Sequence, residues 1–203
     1  MKKLLFIFGL LLAMGPIANH ANAQSSVDFG IRGGLNISNL NDIEGEADSR
    51  TGFMAGLYFN FLVPNSPVSI QPEVLYTQKG FESGNNTFQL DYIEVPVLVK
   101  FDFITDGSVT PNVYFGPYVG FNVSAEIDGN EGLLGGDSES DIEDGVESTD
   151  FGVAVGGGLD FGRVDLGIRY GAGLTEVFED GLFENNNSGA KNGVLSITAG
   201  IDF

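Results

Sequence analysis

The chain has 203 residues, with 28 acids against 9 lysines and arginines, a formal charge of −19, and neither cysteine nor tryptophan. So acidic a surface repels nucleic-acid phosphates. Without thiols there is no disulfide staple, no thiolate metal ligand and no cysteine to carry a lipid.

Lys2 and Lys3 precede an apolar stretch from Leu4 to about Ile17, and Ala21-Asn22-Ala23 supplies the small residues a signal peptidase accepts. This pattern predicts a cleaved export signal over residues 1–23, with Gln24 as the mature start. A transmembrane helix would need about 20 apolar residues. The only histidine, His20, leaves with that signal, so the mature domain, 24–203, has no imidazole for Ser-His-Asp or Cys-His chemistry. No cofactor is expected.

The mature chain alternates apolar and polar residues almost throughout and shows no 3.6-residue stripe. The first run, Val27–Ser38, directs Val27, Phe29, Ile31, Leu35 and Ile37 one way and Asp28, Arg32, Asn36 and Ser38 the other. The second, Gly52–Val63, carries Phe53, Ala55, Leu57, Phe59, Phe61 and Val63 on its apolar face. In the third, Pro67–Lys79, Val68, Ile70, Val74 and Tyr76 oppose Gln71, Glu73, Thr77 and Lys79. The fourth, Leu90–Phe103, sets Ile93, Val95, Val97, Val99, Phe101 and Phe103 against Tyr92, Glu94 and Lys100. The fifth, Pro111–Ile127, sets Val113, Phe115, Val119, Phe121 and Val123 against Asn112, Tyr114, Tyr118, Asn122 and Ser124. The sixth, Asp150–Phe161, and seventh, Val164–Thr175, flank Gly162-Arg163, which predicts a tight hairpin. The eighth, Gly193–Phe203, alternates Leu195, Ile197, Ala199, Ile201 and Phe203 with Ser196, Thr198, Gly200 and Asp202.

Runs of about 12 residues, at roughly 3.3 Å per residue and a tilt near 40°, span the apolar thickness of a bilayer. The expected fold is therefore all-β: an eight-stranded antiparallel up-and-down transmembrane barrel in an outer membrane. Connections after even runs are short (Pro64–Pro67, Ile104–Thr110, Gly162-Arg163), and those after odd runs are long (Asn39–Thr51, Gly80–Gln89, Asp128–Thr149, Glu176–Asn192). Short turns belong to the periplasmic side, which puts both termini there. Phe29, Phe59, Phe61, Phe101, Phe103, Phe161 and Phe203 then form one aromatic girdle, and Phe53, Tyr76, Phe121, Phe151 and Tyr170 the other.

A secreted β-sandwich also alternates, but its faces are not eight long, almost wholly apolar stripes ending on an outward aromatic. Against a barrel stand Pro72, Pro96 and Pro117, since proline cannot donate to a ladder and every barrel strand is central. Bulges are the expected remedy.

The stretches Phe29–Leu40, Ile70–Gly80, Asp91–Lys100, Phe115–Tyr118 and Arg169–Leu174 resemble the PorT-like outer-membrane β-barrel domain family across nearly all of the mature chain. That resemblance implies an outer-membrane barrel in which these prolines hold accustomed positions. Members mostly lack an assigned activity, and the family takes its name from a secretion-associated protein. By resemblance to outer-membrane barrels generally, the terminal Phe203 belongs to the signal read by the barrel-assembly machinery.

Eight strands enclose a lumen that side chains fill, whereas an aqueous channel needs about 16. A lumenal charge network is expected in which Arg32, Lys79, Lys100 and Arg169 neutralise Glu73 and Glu94, together with Asp28, Asp160, Asp165 or Asp202, because an unpaired buried charge costs several kcal/mol. A lumenal ligand or proton relay is the functional alternative. Between Glu126 and Asp150 lie ten acids and no base. Oxygen ligands suit Ca²⁺ or Mg²⁺, but Asp137–Asp144 has Ile142 where an EF-hand needs glycine, so a solvated acidic loop is the plainer expectation. Gly156–Gly162 has glycine spacing loosely like a nucleotide fingerprint, but it ends a strand instead of opening a helix.

The chain thus reads as a non-enzymatic barrel with a structural, adhesive or envelope-assembly accessory role. Outer-membrane lipid, the assembly machinery and envelope or secretion-system proteins are its expected partners, and nucleic acid is not. A ligand-binding or transport accessory would need a lumenal gap or an external cleft. An outer-membrane enzyme would have to work without histidine.

Overall fold

Period-two patterning leaves each strand one face to give to lipid and one to give to a polar interior, and a sheet closed on itself meets both demands without leaving an edge in the membrane. A computed structural model describes residues 27–41, 48–83, 86–128, 148–175 and 191–203. The predicted signal 1–23 and nearly all of the acidic loop lie outside those residues. The strands are β1 (Val27–Asn41), β2 (Asp48–Leu62), β3 (Val68–Ser83), β4 (Asn86–Asp102), β5 (Thr110–Asp128), β6 (Thr149–Phe161), β7 (Val164–Gly173) and β8 (Lys191–Asp202). Each pairs antiparallel with its sequence neighbours, and β8 returns to β1 from Gly30↔Asp202 to Asn41↔Lys191, closing the barrel.

The facing expected from the sequence holds through the membrane zone. Phe29, Leu35, Phe53, Leu57, Val97, Phe115, Phe151, Ile168 and Ile197 are exposed outward, while Arg32, Asn36, Glu73, Leu98, Tyr114 and Arg169 are buried inside. Phe151 and Phe161 mark the two girdles on one strand. Ten residues apart, they span about 25 Å of height at a 40° tilt. At the end carrying the described termini, the Phe203 ring stacks on Phe29 with centroids 5.5 Å apart, and its N–H donates to the Phe29 carbonyl at 2.9 Å. Two turns close that end compactly. Pro64 and Asn65, the latter at φ 56°, sit at the centre of one, with Ser66 N–H donating to Val63 O, as a type II turn requires. Gly162, at φ 70°, joins Phe161 to Val164.

At the opposite end the expected long loop Gly80–Gln89 is mostly strand. β3 and β4 pair from Lys79↔Leu90 up to Ser83↔Asn86, and β5 follows β4 as far as Thr87↔Asp128. The polarity of the faces inverts there. Phe81, Phe88, Leu90 and Ala125 are buried on the inner side, and the Phe81 and Phe88 rings stack at 4.5 Å. Gln89, Asp91, Ser124 and Glu126 take the outer side, where Asp91 accepts from the Tyr76 hydroxyl at 2.5 Å and the Gln89 amide at 3.2 Å. Polar-out, apolar-in is the pattern of a sheet in water, so the β3–β4–β5 wall stands proud of the membrane. Ser124, expected inside, is turned outward by a register shift between Asp91↔Ser124 and Tyr92↔Asn122 that leaves Val123 unpaired; a one-residue slip reverses every later side chain.

The prolines are not absorbed by bulges. The β2–β3 register skips Gln71 and Pro72, β3–β4 skips the positions opposite Val95 and Pro96, and β4–β5 skips those at Gly116 and Pro117, each resuming unshifted. On its other side every proline keeps a partner: Pro72↔Val97, Pro96↔Tyr118 and Pro117↔Val153. Each missing N–H thus faces the preceding strand. In the last of these lapses a Cβ on Gly116 would lie 2.0 Å from the Val97 carbonyl oxygen, so only glycine lets β4 approach there.

Candidate functional site

Inward positions on six strands, β1, β3, β4, β6, β7 and β8, bring the charged residues together in three tiers. Midway, Glu73 on β3 is clasped by two guanidinium groups. Arg32 on β1 donates to it through Nη1, and Arg169 on β7 approaches through Nη2 at 2.7 and 2.9 Å. The Gln71 amide adds a third donor at 2.7 Å. Arg32 reaches Asp165 with its other Nη at 3.0 Å and lies 4.5 Å from the Tyr58 ring centroid. Three donors on one carboxylate keep a charge tolerable where the side chain has no exposure at all.

Towards the end with the termini, Lys100 Nζ pairs with Asp160 at 2.8 Å and Asp102 at 3.4 Å, and the Asn112 amide donates to Asp160 at 3.0 Å. The Tyr58 hydroxyl bridges Asp165 at 3.0 Å and Asp202 at 2.7 Å. Towards the other end, Lys79 Nζ sits between Glu94 at 2.8 Å and Asp150 at 3.0 Å, with the Tyr118 and Tyr92 rings 4.6 and 5.0 Å away. Asp150 also accepts from the Asn192 amide at 3.0 Å.

All six network residues expected from the sequence therefore line one lumen: Arg32, Glu73 and Arg169 in one tier, Lys79 and Glu94 in another, Lys100 in the third. Asp160 and Asp165 join as expected. Asp202 meets a tyrosine instead of a cation, and Asp28 makes no ion pair among the described residues. Asp150 and Asp102 join the network beyond the sequence expectation. Asp150 closes the acidic stretch counted from Glu126 and opens the sixth run, and its parity with the inward Gly152 and Ala154 is the signal of its place in the lumen.

Beside Arg32, Lys100, Asn112 and Asp160 lies a gap of about 10 Å³, space for about one water. Asn112 lines it, and its Oδ1 has no partner among the described residues. Arg32 Nε and the Nε and Nη1 of Arg169 are likewise unpartnered among them. Among the described residues, Glu73, Glu94, Asp102, Asp150, Asp160 and Asp165 are paired with cations and Asp202 with the Tyr58 hydroxyl. No group of three acids or imidazoles suited to a metal occurs among the described residues.

The same barrel recurs in solved structures. That of Neisserial surface protein A is similar at a TM-score of 0.52 and 20% identity, over 88% of this chain and 99% of that one. That of the outer membrane enzyme PagL is similar at 0.50 and 15% identity, over 85% and 98%. At such identities the likeness concerns the fold alone. Among curated proteins none matches the chain. Closed eight-stranded topology, a lipid-facing apolar band and the match of residues 22–179 to the outer membrane protein beta-barrel domain meet in one conclusion: the chain belongs to that family and is an integral outer-membrane barrel.

Proposed function

We propose that the protein is a non-enzymatic barrel of the PorT-like kind whose role is structural, adhesive or accessory to an envelope assembly, with both termini in the periplasm. The observation that carries this reading is the filling of the lumen among the described residues: three tiers of paired charges are stacked along the axis, and the gap beside Arg32, Lys100, Asn112 and Asp160 has room for about one water. Whatever the protein recognises must then meet its external surface or its lipid face. The test is electrical. Purified barrel in planar bilayers is expected to give no steady ohmic channel, and crosslinking in whole envelopes to capture partners through external residues. A stable conductance, or partners captured only through lumenal positions, would return the protein to the transport class. The absence of histidine after residue 20 and the engagement of the lumenal carboxylates support the non-enzymatic reading.

Two further results are expected. Replacing residues 130–147 with a short Gly/Ser linker should leave a barrel that still migrates faster unboiled than boiled, because β5 and β6 are joined by an unbroken ladder from Thr110↔Asp160 to Phe121↔Thr149. Halving a flexible loop changes closure entropy by only about 0.6 kcal/mol. Any function lost with it maps to the outside, whereas failure to assemble would make the loop an ordered part of the fold. Phe203→Ala removes a stacked pair worth about 0.5–1.5 kcal/mol. A loss of assembled protein far beyond that, with export intact, is expected if the terminal aromatic is read by the assembly machinery; unchanged levels would make it incidental.

A further inference from the structure

Lys79 is a primary amine held in a dry part of the lumen between two carboxyl groups. Its Nζ lies 2.8 Å from Glu94 Oε2 on β4 and 3.0 Å from Asp150 Oδ2 on β6, and the three side chains are 3%, 10% and 4% exposed. The Tyr118 and Tyr92 rings flank the nitrogen. Asp150 is itself fixed from two sides: the Thr175 hydroxyl donates to Oδ1 at 3.1 Å, and the Asn192 amide donates to Oδ2 at 3.0 Å. β3 and β6 are not neighbours in the barrel, so the contact crosses the lumen between residues 71 apart in sequence.

Lysine differs here from the arginines of the middle tier. A guanidinium keeps its proton in any protein, whereas an ammonium in a desolvated site can give one up. When Nζ hands one proton to Asp150 Oδ2, the ion pair becomes an amine against a carboxylic acid, which relieves the desolvation cost that a buried ion pair carries. An amine lone pair held about 3 Å from a carboxyl group is close to attacking distance. Lys100 supplies the contrast within the same molecule. Its side chain is 11% exposed and those of Asp102 and Asp160 are 23% and 20% exposed, so water stabilises that ion pair as it stands.

We propose that Lys79 and Asp150 become joined by an isopeptide bond that forms on folding, with Glu94 carrying the proton. The step balances without a co-reactant. Nζ attacks Asp150 Cγ, and the displaced electron pair moves onto Oδ1, where the Thr175 hydroxyl stabilises the developing charge. Glu94 removes a proton from Nζ and delivers it to the Oδ2 hydroxyl, whose C–O bond breaks to release one water. An ammonium and a carboxylate have then become an amide and water, Glu94 is a carboxylate again, and the amide keeps one N–H for it. The product is a covalent strut from β3 to β6 across the lumen, at the end away from the termini, in a site dry enough to resist hydrolysis.

The test weighs the molecule. Barrel refolded from urea is expected to lose the mass of one water as folding completes, whereas the same chain kept in urea holds its full mass. Proteolysis and tandem mass spectrometry should then yield a branched peptide joining residue 79 to residue 150. Asp150→Asn should form the same bond with loss of ammonia in place of water, and folded Glu94→Gln should keep its full mass. Boiled wild-type protein should run ahead of boiled Lys79→Arg, since the closed loop keeps the denatured chain compact. Folded wild-type barrel at full mass would overturn the proposal whatever the variants do. So would a lost water accompanied only by linear peptides, which would place the dehydration elsewhere in the chain. A Glu94→Gln barrel that folds and loses water as fast as wild type would overturn the part given to Glu94.

Discussion

Glu73→Gln should destabilise the folded barrel by about 3–5 kcal/mol, the range for a buried pair that loses one partner, read as a shift in urea unfolding of barrel refolded into liposomes. The cost falls unevenly. Arg32 keeps Asp165 at 3.0 Å, whereas Glu73 is the only carboxylate paired with Arg169 among the described residues. Arg169 already has two unpartnered nitrogens, so the substitution strands a guanidinium between Tyr114 and the β7 wall. Adding Arg169→Met to Glu73→Gln should therefore restore much of the loss, while adding Arg32→Met should restore less. If all three proteins unfold at one urea concentration, water solvates the middle tier well enough that the ion pairs contribute nothing.

Val97→Arg is expected to cost about 2–4 kcal/mol, the range for a cation near the bilayer midplane. Val97 is 42% exposed on the outward face of β4, between Pro96 and the fully buried Leu98. Leu98→Gln faces a different environment, packed on Tyr114, Tyr118 and Ala154 inside a polar lumen, and should be tolerated better, since a lumenal amide can reach water or a hydroxyl. The contrast between neighbours tests the facing directly: equal damage, or a worse result for Leu98→Gln, would contradict it.

Within the membrane zone the sequence was readable because lipid imposes one rule on every outward residue. A strand such as Val95-Pro96-Val97-Leu98-Val99 declares its lipid face by the unbroken odd positions, even though Leu98 is apolar and points inside. Beyond the membrane the rule reverses. Phe81 and Phe88, flanked by glycine, serine and asparagine, look like loop residues if the membrane parity is carried forward, and like a strand only once the apolar face is allowed to turn inward. The Val123 slip is hidden for the same reason, since Val123, Ala125 and Ile127 continue an alternation that the backbone has shifted by one. The lumen was half legible. Cations are few, so finding Arg32, Lys79, Lys100 and Arg169 on inward positions points to their role. Acids are many, and which of them answer depends on register across the barrel: Asp150 meets Lys79 across 71 residues of sequence, and parity alone does not supply that distance.

The three proline lapses have a mechanical side. They adjoin one another as a staircase, from Gln71–Pro72 on β3 to Val95–Leu98 on β4 and Gly116–Pro117 on β5, whereas the pairings of β1 with β2 and β8, and those from β5 round to β8, run without interruption. Elastic stiffness around a barrel comes from its ladder bonds, so the shell is rigid on one side and creased on the other. Lateral pressure, or a bilayer of another thickness, would flatten the cylinder into an oval by folding along that crease, and amides beside it should exchange with solvent hydrogen before those of the continuous wall.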